Sequence, residues 1–214
     1  MVRCVFTNCT AGSNAGGVQM SSGKLSGCVI ANCKGRGRAL YMTGGTAENC
    51  QVLNNTDNGN GGECIGIYAT AGTVRNCLVA GNTSTKVAAG IRVNGAATVE
   101  NCTISGNGGT KGGVVSSASA TWRNVLSWGN AGGCTLGDAT FVTCHLDTDT
   151  DPLFRHPEKG DYRIKSGSPA QNKGTNQTWM EGATDLQGNP RILNKTVDIG
   201  CYEVPQTGLM LIVR

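Results

Sequence analysis

Cys77-Leu78-Val79-Ala80-Gly81-Asn82 and Cys102-Thr103-Ile104-Ser105-Gly106-Asn107 superimpose residue for residue. So do Cys4-Val5-Phe6-Thr7-Asn8-Cys9, Cys28-Val29-Ile30-Ala31-Asn32-Cys33, Cys50-Gln51-Val52-Leu53-Asn54-Asn55 and Val125-Leu126-Ser127-Trp128-Gly129-Asn130, while Cys144-His145-Leu146 opens a seventh copy. Successive copies are 24, 22, 27, 25, 23 and 19 residues apart. Self-similarity at such a period marks a solenoid, in which a unit buries its apolar face only against its neighbours.

Upstream of each Cys, a Gly or Ala is followed by apolar, variable, apolar: Gly17-Val18-Gln19-Met20, Ala39-Leu40-Tyr41-Met42, Gly66-Ile67-Tyr68-Ala69, Gly90-Ile91-Arg92-Val93, Gly113-Val114-Val115-Ser116 and Gly133-Cys134-Thr135-Leu136. This period-two alternation predicts a first strand. A small turn, a second run such as Thr73-Val74-Arg75 or Thr98-Val99-Glu100, a single Asn and the Cys strand complete the unit. Length varies between the third strand and the next first strand, as in Asn55-Thr56-Asp57-Asn58-Gly59-Asn60-Gly61-Gly62, where a loop absorbs insertions. The fold predicted is all-β: a parallel β-helix of about seven turns with three short strands per turn, stacked at about 4.8 Å, and a C-terminal cap.

Stacking turns aligned positions into columns. Val18, Leu40, Ile67, Ile91, Val114 and Cys134 are expected inward, as are Leu25, Ala47, Val74, Val99, Trp122 and Phe141, and Cys4, Cys28, Cys50, Cys77 and Cys102. The bend column Asn49, Asn76, Asn101 and Asn124 suits left-handed backbone, and its amides are expected to form a ladder. Thr46, Thr73, Thr98, Thr121 and Thr140 make an outward row beside Glu48, Arg75, Glu100 and Arg123, whose alternating charges fix register. Val5, Val29, Leu78 and Leu126 are apolar yet outward, so the cap tail or a partner is expected to cover them.

The 214 residues contain 33 Gly, 5 Pro, 5% aromatic and 15% charged residues, which fits one thin elongated core. A net charge of +4, small for this length and spread without a basic run, implies neither nucleic acid nor anionic membrane as a partner. No apolar stretch is long enough to span a bilayer and no signal peptide is visible. Val2-Arg3-Cys4 reads as the end of a second strand, so the repeats of residues 1–150 look truncated at their N-terminal end. The eleven Cys lack zinc-site spacing and stacked Cys point the same way, which is poor geometry for a bridge; an inward column of free thiols is expected, with Cys9 and Cys33 the first pair to test for oxidation.

Beyond the coils stand Asp151-Pro152-Leu153-Phe154, Gly160-Asp161-Tyr162-Arg163-Ile164, Ser166-Gly167-Ser168-Pro169-Ala170, Asp185-Leu186-Gln187-Gly188-Asn189-Pro190-Arg191 and Val197-Asp198-Ile199-Gly200-Cys201-Tyr202-Glu203. Their order resembles the closing module, sometimes called choice-of-anchor, of bacterial secreted right-handed β-helix proteins of the pectate-lyase-like superfamily. Where that family continues Ile-Asp-Ala-Gly, this chain has Gln171-Asn172-Lys173-Gly174, so no role of that Asp carries over. The resemblance implies right-handed coiling and a secreted or cell-surface setting. Residues 151–214 are expected to pack on the helix as a capping segment that protects strand edges. The tail from Val204 superficially resembles a sortase signal and is read as a final strand on the cap, whose loss would lower thermal stability.

In the family resembled, substrate lies along the first-strand sheet. The outward residues there are Gln19, Tyr41, Tyr68, Arg92, Val115 and Thr135, with Asp57 and Glu63 in the neighbouring loop. Tyr41, Tyr68 and Arg92 suit sugar stacking or a cation-π stack; an ordinary exposed ladder reads equally well. The column contains no carboxylate pair, which argues against glycoside hydrolysis, and Asp57 with Glu63 make too few ligands for a Ca²⁺ cage. Asp147-Thr148-Asp149-Thr150-Asp151 is a second place for Ca²⁺, or else a solvated connection. No cofactor is otherwise expected. Two functions remain: a non-catalytic module binding polysaccharide or a surface protein on this face, with end-to-end or side-by-side self-association possible, and a polysaccharide lyase using the same face.

Overall fold

The computed structural model describes residues 1–12, 15–57, 64–84, 88–116 and 119–205. The chain coils into three parallel sheets. The first contains Val18–Met20, Leu40–Met42, Ile67–Ala69, Ile91–Val93 and Val114–Val115; the second runs from Lys24–Ser26 to Thr140–Val142, and the third from Val5–Thr7 to Leu126–Trp128. Register follows the repeat without slips, so Leu40, Ile67, Ile91 and Val114 lie in one column and Ala47, Val74, Val99 and Trp122 in another. All of these side chains are buried.

Five coils have all three strands, rather than the seven expected. The copies at Cys4 and Cys144 supply only parts of turns. Val5–Thr7 stands as a leading third strand, and after Thr140–Val142 the chain makes a single bridge, His145 to Leu126, before turning away. A short fourth sheet of Thr10–Ala11, Lys34–Gly35 and Thr56–Asp57 lines the corner after the third strand.

Two corners need left-handed backbone. Between second and third strands, φ is 53° at Asn49, 52° at Asn76, 47° at Asn101 and 52° at Asn124. Asn tolerates this region better than most residues because its short polar side chain bonds locally. The ladder expected in this column is broken, with Asn76 bonded to Asn49 at 2.6 Å and Asn124 to Asn101 at 3.2 Å. Between these pairs, Asn76 accepts from Arg191 and Asn101 donates to the Asp198 carbonyl.

The continuous ladder lies at the other corner, inside the coil. Asn55, Asn82, Asn107 and Asn130 are linked from each Nδ2 to the next Oδ1 at 2.8, 2.9 and 2.9 Å. Each Nδ2 also donates at 3.0 Å to a carbonyl of the preceding coil, those of Ile30, Val52, Val79 and Ile104 in turn. Each Oδ1 also accepts a backbone N–H from that coil, of Cys33, Asn55, Asn82 and Asn107. The amides of Asn55, Asn82 and Asn107 are thus fully satisfied although buried, which is the condition under which buried polar groups stabilise. Cys9 and Cys33 occupy the same column in the first turns, and Asp147 ends it by accepting from the Asn130 N–H at 3.2 Å.

The thiol column forms as expected. Cys28, Cys50, Cys77 and Cys102 are fully buried, Cys4 is half-buried at the open first turn, and all eleven cysteines are free. An alkylating reagent added to native protein should therefore modify Cys4 and Cys9 well before Cys28, Cys50, Cys77 and Cys102. Peptide mass spectrometry over time reads the order, and equal rates would mean that the column is open to solvent.

Residues 151–205 run along the side of the coils as a strap. An antiparallel pair, Phe154–His156 with Asp161–Ile164, opens it. Phe154, Ile164, Ala170, Ile199 and Val204 bury Leu126, while Tyr162, Leu186, Cys201 and Tyr202 pack on Leu53, Leu78 and Ala80. The strap thus covers Leu78 and Leu126 as predicted, whereas Val29 stays half-buried and Val5 67% exposed. Gly200 makes the closest approach; a Cβ there would sit 2.7 Å from Thr103 Oγ1, and its φ of 103° excludes other residues. The tail read as a last strand lies, from residue 206 on, outside the described residues.

Beneath the strap, Arg191 is completely buried among Asp185, Asp198 and Glu203. It forms an ion pair with Glu203 at 3.1 Å and donates to Asn76 Oδ1 and to the carbonyls of Asp198 and Gly200. Asp185 accepts the N–H groups of Gln187, Asn189 and Glu203, and Asp198 those of Asn172 and Val204. Two of the segments that carried the family resemblance, 185–191 and 197–203, thus meet in one buried polar network.

Candidate functional site

The outward column of the first sheet gathers the predicted binding residues. Parallel register sets Gln19 beside Tyr41, Tyr41 beside Tyr68, and Tyr68 beside Arg92. The two tyrosine rings are 5.6 Å apart at 42°, within the range of favourable aromatic contact. Arg92 lies 5.8 Å from the Tyr68 ring centre.

Arg38 completes the cluster. It stands just before the first strand, its N–H bonded to the Cys64 carbonyl at 2.8 Å. Its guanidinium carbon lies 4.4 Å from the Tyr41 ring centre and 4.2 Å from that of Tyr68, so one cation covers both rings. Arg38 falls outside the alternating strand pattern; its only signal in the sequence is the short basic stretch Lys34-Gly35-Arg36-Gly37-Arg38.

Tyr68 is only 5% exposed. Its hydroxyl accepts from Asn94 Nδ2 at 3.2 Å, and its ring packs with Cys64 and Ala88. Ring faces available to a ligand therefore belong chiefly to half-exposed Tyr41, with Arg92 and Gln19 at the flanks. The Cys64 thiol below is buried and donates to the Ile67 carbonyl at 3.2 Å. Burial pushes it up to about 12, against the pull of Arg92 and Arg38, which leaves it an unreactive thiol near neutral pH.

Asp57 lies on the fourth sheet, buried and accepting from Ser84 Oγ at 2.8 Å. Glu63 lies outside the described residues. The acidic stretch before the strap divides its carboxylates among local partners: Asp147 accepts from Ser127 and Asn130, Asp149 from the Leu146 N–H, and Asp151 from the Leu153 N–H. Among the described residues, no group of three or more His, Cys, Asp or Glu side chains is arranged to hold a metal ion.

Two concavities lie on other faces. One of about 350 Å³, between the third sheet and the strap, is lined by Trp128, Leu153, Phe154, Tyr162, Asp151 and Lys165. Another, of about 380 Å³, contains the ion pairs of Glu48 with Lys24 at 2.6 Å and with Arg75 at 2.7 Å, with Trp179 under Arg75. Burial alone would raise the Glu48 carboxyl, but hydrogen bonds from Lys24 and Arg75 outweigh it and hold it below its usual range. The alternating charges predicted for the second sheet pair as expected here and at Arg123 with Glu100, 3.4 Å apart.

Asp198 and Glu203 are raised by burial, Glu203 to about 8 even with Arg191 beside it. Their oxygens are sealed under the strap and bonded to backbone N–H groups, so they serve the packing of the strap. Among the described residues, no helix is long and apolar enough to cross a membrane. A family model described as right handed beta helix region matches residues 2–130. No curated protein and no solved structure matches the chain.

Proposed function

Because the chain belongs to the right-handed β-helix family, we propose that it is a non-catalytic module that binds glycan along its first-strand face. The observation that carries this reading is the cluster of Arg38, Tyr41, Tyr68 and Arg92, in which parallel register aligns aromatic rings with guanidinium groups. Rings supply stacking area for the C–H faces of a sugar, and guanidiniums match carboxylate geometry, so acidic polysaccharide is the favoured class. A surface protein presenting acidic side chains would use the same groups. The resemblance of residues 151–203 to the closing module of secreted bacterial β-helix proteins supports placing the protein outside the cytoplasm, secreted or on the cell surface.

A second reading, a polysaccharide lyase on the same face, draws on the same arginines, with Arg92 as the base. A panel of acidic and neutral polysaccharides, assayed for binding by calorimetry and for unsaturated products by ultraviolet absorbance, separates the two. Tyr41→Ala and Arg92→Ala should each weaken binding about tenfold, equivalent to ~1.4 kcal/mol, with no product formed by the wild type. Trp179→Ala, on another face, should leave affinity unchanged. Product that disappears in Arg92→Ala would establish the lyase, and unaltered affinity in all three variants would remove the first-strand face from consideration.

A further inference from the structure

We propose that the concavity between the third sheet and the strap is a second ligand site, and that its ligand is a neutral sugar ring. Its volume of about 350 Å³ lies in the range of small-molecule sites, whose walls are mostly apolar with a few polar groups that set orientation. Coils and strap build it jointly. Trp128 comes from the last strand of the third sheet, Leu126–Trp128, while Leu153, Phe154, Tyr162 and Lys165 belong to the opening hairpin of the strap and its flanks. The Arg38 cluster is on a different sheet, so this site stands or falls independently of that one.

Aromatic side chains form the walls. Phe154 is buried and meets Tyr162 edge-on, with ring centres 5.6 Å apart at 86°. Trp128 is half-buried and packs on the same cluster, with the His145 ring 6.2 Å away. Leu153, 39% exposed, adds apolar surface from left-handed backbone with φ of 58°. Its N–H donates to Asp151 Oδ1 at 2.8 Å, and its carbonyl accepts the Lys165 N–H at 2.9 Å. That backbone is costly for a leucine, and costly backbone of this kind clusters at ligand-binding positions.

The polar groups along the walls are uncommitted. The Tyr162 hydroxyl stands 3.0 Å from where a Cβ on Gly106 would lie, and among the described residues it has no hydrogen-bond partner. Burial alone acts on it, raising its pKa. Asp151 gives one carboxylate oxygen to Leu153, and among the described residues neither Asp151 nor Lys165 is in an ion pair. The three groups thus offer an acceptor, a donor and a hydroxyl that can be either. Each hydroxyl of a sugar is likewise donor and acceptor, so one ring answers all three while its C–H face lies on Trp128. Charge narrows the class. Among the described residues that line the concavity, Asp151 and Lys165 are the only charged ones, so their charges cancel and favour neither an anion nor a cation.

Calorimetric titration of the full chain with glucose, galactose, mannose and N-acetylglucosamine, and separately with galacturonate and leucine, tests this. At least one neutral sugar should bind with a Kd of about 1 mM, as suits a ligand this small. Tyr162→Phe should weaken that sugar about tenfold and leave the melting temperature unchanged, because the hydroxyl holds nothing in the fold. Lys165→Met, at an exposed position, should weaken it about threefold, again without loss of stability. Tyr41→Ala should leave it unaltered. A loss in Tyr162→Phe or Lys165→Met that Tyr41→Ala does not share assigns the sugar to this concavity. No heat from any neutral sugar at about 10 mM, affinity unaltered in both variants, or an equal loss in Tyr41→Ala would overturn the proposal. So would galacturonate or leucine binding more tightly than every neutral sugar and losing that affinity in Tyr162→Phe.

Discussion

Asn82→Ala should cost this protein about 4 kcal/mol, among the most destabilising single substitutions available in it. The side chain is completely buried and joins three coils. It donates to the Val52 carbonyl and to Asn107 Oδ1, and its Oδ1 receives both the N–H and the Nδ2 of Asn55. Alanine leaves two donors on Asn55 without partners, in a place where water has little access, and takes from the Val52 carbonyl the second of its donors. Each orphaned buried group costs about 1–3 kcal/mol, and the lost ladder bonds add to that. Asn82→Asp keeps an acceptor but replaces a two-proton donor with a carboxylate against the Asn107 oxygen and the Val52 carbonyl, so it should be no milder. Urea denaturation measures both. As a comparison, Asn49→Ala removes an outer-corner bond to Asn76 and a left-handed preference, and should cost about 1–2 kcal/mol. Equal costs at Asn82 and Asn49 would mean that the inner ladder adds nothing special.

That contrast marks where the sequence was readable and where it was not. Both Asn columns recur in the last four complete coils, so periodicity alone does not rank them. Periodicity does not say which corner closes over the core. The inner column is also harder to see, because Cys9 and Cys33 replace Asn in the first turns and Asp147 ends it. The inward apolar columns were legible because alternation of two residues leaves one choice of buried face. The outer pair Tyr41 and Tyr68 followed from the same rule, but the burial of Tyr68 did not. It depends on Arg38, Asn94 and Cys64, which arrive from outside the strand and from different coils. The strap was legible as a packing segment through the resemblance of residues 151–203 to a closing module and through the strand edges a last turn exposes, yet its course along the flank rather than over the last coil is set by contacts such as Gly200 on Thr103, at long sequence separation.

Arg191→Leu should detach the strap, at a cost of about 3–5 kcal/mol, because removing one partner of a buried ion pair strands the charges that remain. Three acidic side chains, Asp185, Asp198 and Glu203, all buried, surround Arg191, and any of them that is ionised loses its counter-charge in the variant. Glu203 gives the network a pH dependence. Glu203 sits at about 8 in the folded chain against 4.5 ordinarily, through burial, so the folded protein retains a proton that the unfolded chain releases. Its contribution is complete below pH 4.5 and declines as pH rises through about 8, in the direction opposite to Glu48 and Asp161, whose lowered carboxyls add stability above the usual range and lose it in acid. As far as Glu203 decides it, the strap should therefore be held most firmly at about pH 4.5 and loosen progressively up to about pH 8. Hydrogen exchange of peptides covering residues 185–204 should quicken over that interval beyond the intrinsic rate. Glu203→Gln should remove most of that dependence, since an amide keeps the shape without titrating. In Arg191→Leu the exchange should be fast already at neutral pH and fastest in base. A wild-type strap with pH-independent protection, or an Arg191→Leu strap as well protected as the wild type, would show that this network does not hold the segment to the coils.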